Sequence, residues 1–253
     1  MRQSLIWQPP RPNESEELIM SQTDTFTVGE LYLLAESLGV NIVFGLPDKA
    51  TQQLVNPDFL EEATAPLTKK GIISEDLHLT KGGFLIAKAL KSYIYSEEYV
   101  RINNLMVGFS SDKVQLFVLV EVKEGELYKL LVFDKLSFLR ELYTDFPLIQ
   151  REPKAIDQDY TKKKLRNAQK RVLKHEKIPS QLFNLEIFKL TDPPRETSDQ
   201  WLFFEHDQSL IGIEVSENTY YEFSQYYFMK QVFDALHLPY TAKDISREIS
   251  REG

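Results

Sequence analysis

Four histidines, His78, His175, His206 and His237, are the side chains of this sequence best suited to proton transfer or metal binding near neutral pH. They are scattered through different segments, and none has a partner at ligand spacing, so H-E-x-x-H and related zinc patterns are absent. Glu205-His206-Asp207 joins an imidazole to two carboxylates, but it stands between two strand-like runs and reads as a turn with solvated charges. The acid pairs Glu16-Glu17, Glu61-Glu62 and Glu97-Glu98 are chain neighbours, which do not face a common point on a helix or strand. With no cysteine there is no thiolate nucleophile, thiolate metal site or disulfide. Neither G-x-x-x-x-G-K-[ST], G-x-G-x-x-G nor G-x-S-x-G occurs. Gly82-Gly83 opens a helix, a geometry that favours anions. A glycine pair behind a capping threonine is more simply a helix start. The expectation is a non-enzyme, with no catalytic residue, cofactor or metal.

Two features point to binding instead. From Lys154 to Lys177 nine Lys or Arg stand against three acids, a local net of +6 in a chain of net charge -8. Contact with an acidic partner is one reading, and a solvated outer face balancing an acidic body is the plainer one. The second feature is the run Tyr220-Tyr221-Glu222-Phe223-Ser224-Gln225-Tyr226-Tyr227-Phe228, with more rings than one helix face can bury. Read as helix, its stripe leaves Tyr221 and Tyr226 aside, where amphipathic rings suit a protein partner. Tyr221, Tyr226, Arg166 and Lys170 are therefore the candidate partner-binding residues.

The elements that must position them follow from periodicity. Thr27 and Glu30 have capping-box spacing, and Val28, Leu31, Leu34, Ala35 and Leu38 make a helical stripe closed by Gly39. A helix after Asp58 should be kinked or split by Pro66. Thr80 caps another through Tyr95, with Phe84, Ala87, Leu90 and Ile94 inward. Segments 100–109, 114–122 and 127–133 are strands of an antiparallel meander separated by turn-like Ser110–Lys113 and Lys123–Glu126, followed by a helix at 135–144. A basic helix is expected over 160–177, with Leu165, Ala168 and Val172 as its apolar stripe. Strands at 182–190, 199–206 and 209–215 follow, then a helix from Glu217 to Leu236 capped by Ser216.

The fold expected is α+β: a central antiparallel sheet from two βββα units in pseudo-twofold order, flanked by helices. Residues 1–22 read as a disordered leader, with Met20 an alternative start, and 23–240 as one domain. That domain comprises a helical subregion 27–95, a first unit 100–146, a linker and basic helix 147–178, and a second unit 182–236. Residues 241–253 form a polar tail. Residues 1–22 hold no apolar run of signal-peptide length, and no stretch approaches a membrane span, so a cytoplasmic protein is expected.

Three phrases carry a family resemblance: Phe26-Thr-Val-Gly-Glu-Leu-Tyr-Leu-Leu-Ala-Glu-Ser-Leu-Gly39, Leu67-Thr-Lys-Lys-Gly-Ile-Ile-Ser-Glu-Asp76 and Tyr99-Val-Arg-Ile-Asn-Asn-Leu-Met-Val-Gly-Phe109. In this order they resemble the EspG-like proteins of type VII (ESX) secretion, including their versions in Gram-positive bacteria outside mycobacteria. The resemblance implies a pseudo-twofold antiparallel sheet flanked by helices. It also implies a non-catalytic cytosolic chaperone that binds the helical tip of a secreted partner. No motif is sharp enough to transfer a binding site to individual residues. The alternative is a winged-helix-like DNA-binding regulator, since Leu67 to Leu90 has the helix, short hairpin, helix order of such proteins. Charge opposes it, because residues 27–95 carry six Lys or Arg against eight acids.

Overall fold

Thr27 opens the first helix as its spacing requires. Its hydroxyl accepts from Glu30 N at 3.2 Å, and the Glu30 carboxylate accepts from Thr27 N at 2.7 Å, closing the capping box. The computed structural model describes residues 25–153, 161–175, 181–190 and 196–238. The leader, the polar tail, and parts of the linker and basic segment lie outside these. Contacts divide the described chain into an N-terminal unit of 25–99 and 104–134, and a C-terminal unit of 100–103 and 135–238.

The N-terminal unit begins with β1 (Phe26–Thr27), α1 (Val28–Ser37), α2 (Lys49–Val55), α3 (Phe59–Lys69) and α4 (Lys81–Ile94). Helix α3 runs through Pro66 without a break. The proline stands near the C-terminal end, where few hydrogen bonds depend on it. Thr80 caps α4 as expected, accepting from Gly83 N at 3.0 Å. A Cβ on Gly83 would lie 1.9 Å from the Ile72 carbonyl oxygen, so the glycine is there to let the chain pass. Of the Gly82-Gly83 pair, Gly83 is thereby a packing feature, while Gly82 is exposed with room for a side chain. Gly83, Ala87 and Leu90 form the buried stripe at steps of four and three, with Tyr93 buried beyond them. Phe84 stands one residue off that stripe and is exposed, against expectation.

Where one strand was expected over 100–109, there are two: β2 (Glu98–Ile102) and β3 (Leu105–Phe109). Asn103 takes a positive φ of 50° and turns the chain between them. Strands β4 (Gln115–Lys123) and β5 (Leu127–Asp134) follow, and the antiparallel order in this unit is β1-β5-β4-β3. Leu116 to Val120 are all buried, so β4 is covered on both faces, with α4 packed against β3, β4 and β5. Glu30 is buried and pairs with Lys70, whose ammonium also donates to Thr25 O at 2.6 Å.

In the C-terminal unit α5 (Lys135–Asp145) and α6 (Pro147–Gln150) precede β6 (Lys162–Lys164) and α7 (Asn167–His175). Then come β7 (Phe183–Leu190), β8 (Glu196–His206), β9 (Ser209–Glu214), β10 (Thr219–Phe223) and α8 (Gln225–Ala235). The strands are antiparallel in the order β7-β8-β9-β10-β6. The expected helix over 217–236 is corrected. Asn218, with φ 48°, turns the chain, and Thr219-Tyr-Tyr-Glu-Phe223 extends as a strand, as β-branched and aromatic residues favour. The cap moves with it, from Ser216 to Ser224, whose hydroxyl accepts from Tyr227 N at 3.1 Å. The basic helix over 160–177 is likewise shorter. Its first lysines pair with β10, and Ala168 and Val172 lie exposed while Leu173 is half-buried. Strand-strand-strand-strand-helix thus occurs twice in the chain order, each time one strand longer than expected. The α+β class with antiparallel strands and flanking helices is the one observed.

Candidate partner-binding surface

Strand β10 aims alternate side chains to one face, and the register fixes their neighbours. Tyr221 stands opposite Gly212 and Lys164, and Phe223 opposite Leu210 and Lys162. Phe203 lies across Gly212 in the same row, with Trp201 two residues along β8. A Cβ on Gly212 would meet the Phe223 ring at 2.5 Å and the Phe203 ring at 2.9 Å. The glycine makes room for rings to lie over β9. Phe203 and Phe223 meet edge to face at 5.2 Å, and Phe228 of α8 covers Phe203 at 4.9 Å.

Toward the sheet edge the same face turns polar. The Lys162 ammonium lies 4.1 Å from the Tyr221 ring centroid and 4.3 Å from that of Trp201. Such cation–ring contacts contribute roughly 0.5–2 kcal/mol each, according to exposure. The Tyr221 hydroxyl donates to Glu214 Oε2 at 3.2 Å. Burial first, then the Glu214 carboxylate, push the Tyr221 phenol above its ordinary pKa. This corner holds rings, a captured ammonium and a carboxylate on a phenol.

The sequence-predicted residues separate. Tyr221 sits in this ring cluster on β10, while Tyr226 lies exposed on α8. Lys170 is drawn inward: its ammonium donates to Asn218 O and lies 4.9 Å over the Tyr220 ring. Arg166 is exposed just before α7, its backbone N–H donating to Gln169 Oε1 at 3.0 Å. Reading the run from Tyr220 as helix hid Lys162, Trp201 and Glu214. The two-residue alternation of Tyr221 and Phe223 was the available signal.

Glu205-His206-Asp207 lies where the sequence placed it, at the β8–β9 hairpin. Asp207 and Gln208 form its two-residue turn with φ of 46° and 65°. Arg151 donates to Gln208 O at 3.0 Å and to Gln225 Oε1 at 3.2 Å, and lies 3.7 Å from Glu205. Arginine here clasps the hairpin to the start of α8. A cleft lined by Phe146, Pro147, Leu148, Gln181, Leu182 and Phe183 encloses about 10 Å³, room for about one water. Among the described residues, no group of three or more His, Asp or Glu is placed to hold a metal, and no helix is long and apolar enough to cross a membrane.

Sequence comparison gives the kin of this α+β protein. Residues 20–244 match the family described as "Domain of unknown function (DUF5081)", and the chain belongs to that family. Proteins of Staphylococcus aureus strains USA300 and NCTC 8325, each named "Type VII secretion system protein EsaE", are 26% identical over 148 residues. That match covers 57% of this chain and 65% of the relatives, just under two thirds of their length. The likeness is thus to a type VII secretion protein, and it does not reach the EspG-like group in particular.

Proposed function

We propose that this chain is a cytosolic, non-catalytic adaptor of type VII secretion, acting like the EspG-like chaperones on a helical secretion partner. The observation that carries the reading is the 148-residue similarity to a type VII secretion system protein. It is supported by side-chain chemistry suited to contact, such as the Trp201–Tyr221–Lys162 corner and the exposed Tyr226 and Arg166. An adaptor of this kind covers apolar helix surface that would otherwise self-associate, through an aromatic or aliphatic centre with a polar rim. Co-expression with type VII secretion substrates of the same genome tests the reading. The expected outcome is a stable complex on gel filtration and loss of substrate solubility without the adaptor. Substrates that stay soluble and unbound in its absence overturn it.

A further inference from the structure

Helix α4 buries one side in the N-terminal unit and leaves the other bare. On the bare side Lys81, Phe84, Lys88, Lys91 and Tyr95 follow one another at steps of three, four, three and four residues, with Leu85 beside them. Phe84 is 61% exposed, Leu85 62% and Tyr95 62%. That spacing lines one face of a helix, here a mixed seam about 20 Å long in which lysines at three of the five places alternate with Phe84 and Tyr95. The seam continues past the N-cap. Leu79 and Phe84 occupy the two positions of a hydrophobic staple around Thr80. Leu77, 65% exposed, holds a φ of 63° that costs a branched side chain and favours glycine or asparagine. A large apolar residue is kept bare where a small polar one would fold better.

Charge selects the occupant. Helix α4 has three lysines and no acid, within a chain of net charge -8. Lys81 and Lys88 make no ion pair among the described residues. Exposed acids stand at both ends of the seam, Glu75 and Asp76 before it and Glu97 after it. A second copy would set lysines against lysines. An anionic membrane or a nucleic acid extends past both ends of the seam and would meet the terminal carboxylates, which a helix no longer than α4 avoids. Phe84, Leu85 and Tyr95 also occupy places where a DNA-reading helix needs polar groups. We propose that this seam docks an acidic amphipathic helix of the secretion partner. Apolar side chains of that helix pack on Phe84, Leu85 and Tyr95, and its carboxylates approach Lys81, Lys88 and Lys91. The surface rests on its own geometry, and only the partner's identity rests on the adaptor reading.

The test titrates the full chain with a synthetic amphipathic helix, no longer than α4, bearing leucine and glutamate interleaved along one face. A counterpart with lysine for glutamate, phosphatidylglycerol vesicles and duplex DNA serve as rivals, and sedimentation velocity reports self-association. The acidic helix is expected to bind at least about tenfold tighter than its basic counterpart and to weaken with salt. A Phe84→Ser, Leu85→Ser variant is expected to lose at least about tenfold in affinity while staying folded, with only the small drop in melting temperature that a lost staple and weaker helix formers bring. Reversing Lys81, Lys88 and Lys91 to Glu should invert the charge preference. Equal binding by these variants, no binding, a preference for vesicles or DNA, or dimerisation through α4 overturns the proposal. If the acidic helix binds α4 while no secretion substrate co-purifies, the seam stands and the adaptor reading falls. If substrates are retained equally by the Phe84, Leu85 variant, the seam falls and the adaptor reading stands.

Discussion

The Tyr99 hydroxyl lies 2.9 Å from Tyr93 O and 3.0 Å from Ile94 O, carbonyls at the C-terminal end of α4, of which Tyr93 O also accepts from Ser96 N at 3.1 Å. Tyr99 is buried, and burial pushes its phenol well above the ordinary tyrosine pKa. A proton held more tightly in the folded state gives stability that is complete below the unfolded pKa of about 10 and drains as pH rises beyond it. Tyr99→Phe is expected to lower stability at neutral pH by about 0.5–1.5 kcal/mol, the net contribution of a typical hydrogen bond, since Tyr93 O keeps its bond from Ser96 N. The same variant should lose less stability than the wild type on going from about pH 9 to 11. Urea denaturation at each pH measures both effects. Tyr99 sits in one of the phrases that carry the family resemblance, yet its role as a helix-end donor depends on the tertiary meeting of β2 with α4.

Helix α8 shows the same dependence at the level of an element. Its cap, Ser224, is buried and holds two chains at once: its hydroxyl accepts from Tyr227 N, and also from Thr161 N at 3.1 Å at the start of β6. Ser224→Ala should therefore destabilise by about 1–2 kcal/mol, the upper part of the range for a lost cap, measured by thermal unfolding. Phe228→Ala would instead report ring packing and is no substitute for it. The capping residues Thr27 and Thr80 were legible in the sequence because cap and third residue lie within one turn. The burial of β4 was legible too, from its unbroken apolar run. The strand β10 was not, because Tyr220 to Phe228 satisfies a helical stripe as well as an alternating one. Only pairing with β9 and Lys162–Lys164 chooses between them. The candidate surface failed with it. Tyr221 and Tyr226, placed on one helix, sit on a strand and a helix, and the cation that answers Tyr221 is Lys162 rather than Lys170.

Across the molecule, charge sets what can approach. The chain carries -8, and the stretch 154–177 carries +6, leaving the remainder near -14. Lysines of that basic stretch are partly committed: Lys162 to the rings of Trp201 and Tyr221, and Lys170 to Asn218. Nucleic-acid affinity grows with the number of phosphates that free cations neutralise. Random duplex DNA is therefore expected to show no retarded band at about 150 mM salt, which an electrophoretic shift series in salt measures. A salt-dependent shift would favour the regulator reading. The edge strand β6 carries a further meaning at this scale. Its three residues are all lysine, and they occupy the hydrogen-bonding side of β10 that would otherwise face solvent. The protein closes its own sheet with like charges on consecutive residues, so a second copy that offers this same edge sets lysines against lysines and is repelled. Crowded beside other copies, the chain is guarded against sticking to itself by a clasp three residues long.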